Sequence, residues 1–144
     1  MRRAAARIRL HLGRRGAILA VIGAGWGYFG MGVILAPTRD TETALAPIIH
    51  IVPLAALGAM WVVCGVLAAG FACLPAGADR WGFAAAVGPP IAWFAAFMIA
   101  WSTGETGRSW PSGGTWLTWA GVVMIIVGWR EPPTLSTGDP DADT

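Results

Sequence analysis

Asp40, Glu42, His50 and Glu105 are the residues whose types could hold a metal ion, and all of them lie between long apolar runs. Carboxylate and imidazole ligands bind a divalent cation when three or more converge on it. Their spacing matches no ligand motif, and loop carboxylates are ordinarily solvated. No metal site and no cofactor is expected. A serine nucleophile needs a neighbouring base. His11 belongs to the basic N-terminal segment, away from Ser102, Ser109 and Ser112, and His50 reads as an interfacial side chain reaching water. Cys64 and Cys73 would lie about 13 Å apart along one helix and on opposite faces, too far for a mutual disulfide. They read as small apolar residues. No phosphate loop and no dinucleotide fingerprint occurs. The expectation is a protein that is not an enzyme and has no small-molecule substrate and no nucleic-acid partner.

The elements that must position these residues are apolar. The chain has 144 residues, 56% hydrophobic and 12% charged, about half the usual charge of a soluble domain. The run from Trp81 to Trp101 carries no charge, and as a helix it is about 30 Å long, the thickness of a bilayer's hydrocarbon core. Similar runs predict spans at 17–36, 51–74, 81–101 and 113–129, the last the shortest. The expected fold is all-α: a polytopic integral membrane protein with four transmembrane helices in an antiparallel bundle. Residues 1–16 form a basic cytoplasmic segment, 17–130 the bundle and 131–144 a disordered acidic tail. No Asp, Glu, Arg or Lys falls inside a span. Proton relays and ion-coupled transport need such groups at depth, so those classes are excluded.

Small residues recur on single helix faces, where another backbone can approach closely. The expected packing positions are Ala20, Gly23, Gly27 and Gly30 in the first span and Ala55, Gly58, Gly65 and Ala69 in the second. In the third span they are Ala85, Gly88, Ala92 and Ala95, with Trp93, Phe94, Phe97 and Trp101 turned toward lipid or a partner. Ile22, Trp26, Phe29 and Val33 fill another face of the first span. Pro89 and Pro90 cannot donate to the carbonyls of Ala85 and Ala86, so the sequence predicts a kink and two carbonyls in need of other partners. The lipid-interface set is Arg2, Arg3, Arg7, Arg9, Arg14 and Arg15 on a short interfacial helix, with Trp81, Trp101, Trp116 and Trp129 at span ends. A polar loop is expected over 37–47, and PAGADR at 75–80 reads as a tight turn.

With four spans, the N-terminal arginines, Arg80 and Arg130 share one side, leaving Arg39 and Arg108 on the other. The positive-inside rule places both termini in the cytoplasm, with the chain in a bacterial inner membrane. DRWGFAAAVGPPIAW (79–93) followed by VVMIIVGWREPP (122–133) resembles small four-span membrane proteins of actinobacterial phages. The resemblance implies a four-span fold and a phage origin, and it carries no activity and no site residues. The expected function is a non-catalytic scaffold, anchor or accessory subunit, with the lipid bilayer and a second copy or another membrane protein as partners. The alternative is a holin-like pore former that permeabilises the inner membrane during phage lysis.

Overall fold

The structure, a computed structural model, describes residues 2–74, 79–104 and 109–128; for 2–13, 40, 44 and 109 it describes the backbone alone. Among these residues six helices follow in order: α1 (Arg2–Leu35), α2 (Arg39–Ala44), α3 (Ala46–Ile49), α4 (Leu54–Phe71), α5 (Arg80–Ser102) and α6 (Ser109–Gly128). No strand occurs among the described residues. Among the described residues four helical stretches are long and apolar enough to cross a membrane: Arg14–Leu35, Leu54–Phe71, Arg80–Ser102 and Trp110–Gly128.

Local chemistry sets the helix ends and corrects several expected boundaries. The basic segment and the first span form one helix, not an interfacial helix followed by a span. The expected loop at 37–47 folds instead as α2 and α3. Thr38 caps α2, its side chain accepting from the Thr41 N–H at 3.3 Å, and Pro47 sits in the first turn of α3, where its missing N–H costs nothing. Pro53 precedes α4 as its N-cap. The fourth apolar helix begins at Ser109 rather than 113, because Pro111 is also tolerated in a first turn. The shortest apolar helix is therefore α4, not α6. Residues 75–78 of the expected turn, Trp129 and the acidic tail lie outside the described residues.

Packing is organised by two clusters. The end that holds Arg15 and Asp79 is here called lower, and the end that holds Thr38 upper. The lower cluster joins Leu19, Ala68, Ala72, Phe83, Ala86 and Val123. The upper one joins Trp26, Val33, Leu45, Trp61, Trp93 and Phe97 with Ala96. Glycine sets the closest approach. A Cβ on Gly23 would stand 2.5 Å from the Gly65 carbonyl oxygen and 2.7 Å from the Ala69 nitrogen. One on Gly30 would stand 2.6 Å from the Gly58 carbonyl oxygen. These contacts step down α4 as they step up α1, the register of two helices packed in opposite directions.

Candidate functional site

The upper cluster is where side chains from four helices converge. Trp61 of α4 is fully buried. Its ring meets Trp26 at 4.9 Å between centroids and Phe29 at 4.8 Å, both from α1. Trp93 of α5 stands at 5.5 Å and Trp116 of α6 at 5.0 Å. Interplanar angles of 58° to 82° place the rings edge to face or tilted, the arrangement their quadrupoles favour. Among the described residues the Trp61 indole N–H meets no hydrogen-bond acceptor.

Below this junction, Pro89 and Pro90 are buried and α5 continues through them as helix. The carbonyl that Pro90 frees on Ala86 has found a donor: the Trp26 Nε1–H, at 2.9 Å and buried. Among the described residues no side-chain donor reaches the Ala85 carbonyl. At the lower end Arg15 Nη2 stands 3.1 Å from Asp79 Oδ2, and the guanidinium lies 5.2 Å from the centroid of the Phe83 ring. Asp79 is buried, and its charge stands at the N-terminus of α5, where the helix dipole favours an anion.

Several sequence-predicted positions move. In α1 and α4, Gly23, Gly30, Gly58 and Gly65 are buried at the contact, with Ala20 and Ala69 half-buried beside it. A Cβ on Gly27 would meet nothing within 4 Å, although its backbone lies against Gly65, and Ala55 is exposed. The expected faces of α5 are reversed in part. Gly88, Ala92 and Ala95 are exposed and Ala85 half-buried, whereas Trp93 and Phe97 are buried and Phe94 half-buried; of the four aromatic residues Trp101 keeps its expected exposure. The reason is volume. Glycines bring α1 and α4 so close that the remaining interior must be filled by large side chains from α5 and α6 to reach ordinary packing density. Val33 likewise turns inward.

Of the interface set, Trp81 and Trp101 are exposed, as is Arg14. Trp116 instead joins the aromatic junction, and Arg15 is engaged by Asp79 and Phe83 rather than turned wholly outward. Arg2, Arg3, Arg7, Arg9 and Trp129 fall outside the described side chains. Sequence reasoning missed Trp61 and the Arg15–Asp79 pair. Signals existed: Trp26 and Trp61 each follow a contact glycine by three residues, in the middle of a helix and away from any headgroup level.

The chemistry of the site is narrow. Glu42 and His50 are exposed and line a shallow cavity with Ala46, Ile49 and Leu54. Among the described residues no three metal-ligating side chains gather. Cys64 is half-buried, Cys73 is exposed, and both are free. An aromatic cage that holds a cation keeps open space between its ring faces. Here the centroids stand 4.8 to 6.4 Å apart, so the rings themselves occupy that space. Fold and site thus define a class: an all-helical protein whose four long apolar helices close on an aromatic core. Comparison of the chain with protein-family models, with curated proteins and with solved structures gives no match.

Proposed function

We propose that this chain is a non-catalytic integral membrane protein whose four apolar helices span the bacterial inner membrane as an antiparallel bundle. Both termini face the cytoplasm, and the protein serves as a phage-encoded scaffold, anchor or accessory subunit. Membrane residence is supported by the outward faces, where Val21, Val63, Val66, Ile91, Met124 and Ile125 are exposed; such a continuous apolar surface suits lipid rather than water. The scaffold reading is carried by one observation: the space where the helices meet is filled by the rings around Trp61. A holin-like assembly needs a wettable lining, and the fourth span offers only Ser112, Thr115 and Thr118, of which the two threonine hydroxyls donate to the Pro111 and Gly114 carbonyls of their own helix. The exposed small face of α5 offers a partner helix a close approach.

Inducible expression with a potential-sensitive dye and a co-expressed cytoplasmic endolysin tests the proposal. The membrane should stay polarised as the protein accumulates, with slowed growth at most. Abrupt depolarisation followed by lysis, at a level where an unrelated four-span protein is harmless, would replace the scaffold with the holin.

A further inference from the structure

The two packing clusters divide on α5 at one level. Phe83 and Ala86 belong to the lower cluster; Trp93, Ala96 and Phe97 belong to the upper. Pro89 and Pro90 lie between, where two consecutive rungs of the helical ladder are missing. Among the described residues one side-chain hydrogen bond crosses the division: the Trp26 indole N–H, from the upper cluster, donates to the Ala86 carbonyl of the lower one.

We infer that Pro89–Pro90 is a hinge in α5 and that the Trp26–Ala86 hydrogen bond is the latch that keeps it closed. A helix bends most readily where ladder bonds are absent, and proline is the commonest cause. The buried members of the two clusters are separate, with Ile22 packed against both, so one half of α5 can shift as a unit without dismantling the other cluster. The moving arm is Ile91–Ser102, and its displacement draws Trp93 away from Trp61. In the closed state both latch atoms are satisfied. In the open state a buried donor and a buried carbonyl both lose their partner, which makes the closed state the resting one. This inference needs only the helix packing and does not depend on the scaffold reading.

The test uses the full chain in lipid nanodiscs, with Cys64→Ala and Cys73→Ser removing the native thiols. Spin labels go on Ala84→Cys and Ile99→Cys, both exposed positions that bracket the proline pair. They stand about 22 Å apart along a straight helix, within reach of pulsed EPR. The latched chain should give one narrow distance. Trp26→Phe keeps a ring and removes the N–H, and it should add a second, shorter population. Pro90→Ala returns the Ala86 carbonyl to the ladder, so it should keep a single narrow distance and make that distance indifferent to Trp26→Phe. An unchanged distribution in Trp26→Phe overturns the latch. A second population that persists when Trp26→Phe is combined with Pro90→Ala overturns the hinge. Where Trp26→Phe alone does not fold, the double variant decides: recovery of a single narrow distance supports the latch, and continued failure to fold contradicts it.

Discussion

Gly30 and Gly58 face each other across α1 and α4, and a Cβ on either would enter the other's backbone. A Cβ on Gly25 would meet nothing. These glycines therefore differ sharply although they share one helix composition. Gly30→Val should destabilise the fold by about 3 kcal/mol or more, since backbone cannot yield as a flexible side chain does. Gly25→Val should be nearly neutral or mildly stabilising through helix propensity. Thermal unfolding in detergent checks the contrast; equal losses would mean that α1 and α4 do not meet through this face. The small-residue stripe was legible in the sequence, but its inward phase was not. Gly27 belongs to the stripe by spacing, yet its own Cβ direction opens outward. Arg15 shows a second limit. Its sequence context says topology signal, while its partner, Asp79, is more than sixty positions away in the chain and is found only by folding.

At the scale of elements, α5 is the instructive helix. Its existence, its length and its proline pair could all be read from the run between Trp81 and Trp101. Which face it buries could not. Lipid is as apolar as a protein interior, so hydrophobicity does not choose a face for a helix that is apolar all round. Shape chooses, and shape depends on how much room the neighbouring helices leave. Trp93 enters that room and Trp101 does not, being half exposed at 52%. Trp93→Ala should accordingly cost about 3–5 kcal/mol, the range for emptying a buried aromatic site. Trp101→Ala should cost far less and act on interfacial anchoring. Near-ultraviolet circular dichroism should lose intensity with Trp93→Ala in particular, because the coupled rings around Trp61 would be broken up. A loss from Trp93→Ala as small as that from Trp101→Ala would restore the face assignment that the sequence suggested, with both rings on one outward face. The same reasoning explains the lower end. Asp79 ties the start of α5 to Arg15 in the middle of α1, and Asp79→Asn should cost about 1–3 kcal/mol, between the values for exposed and for fully buried pairs.

At the scale of the whole molecule, the Arg distribution sets an orientation for the proposed membrane protein. Reporter fusions after Arg15, Asp79 and Asp139 should report cytoplasm, and fusions after Glu42 and Arg108 the outside; a cytoplasmic signal from the Glu42 fusion would break the four-span arrangement. The four long apolar helices were legible because length and apolarity can be read directly from the chain. Function was not, because a scaffold and a pore former would share those helices and differ in what fills the centre. That centre can be probed directly with purified protein in liposomes loaded with carboxyfluorescein and potassium. A bundle whose core is occupied by Trp26, Phe29, Trp61, Trp93 and Trp116 should leave dye retention and potassium flux equal to those of protein-free vesicles as the protein-to-lipid ratio rises. Release that climbs steeply with that ratio would contradict a solid core and make the chain a pore former.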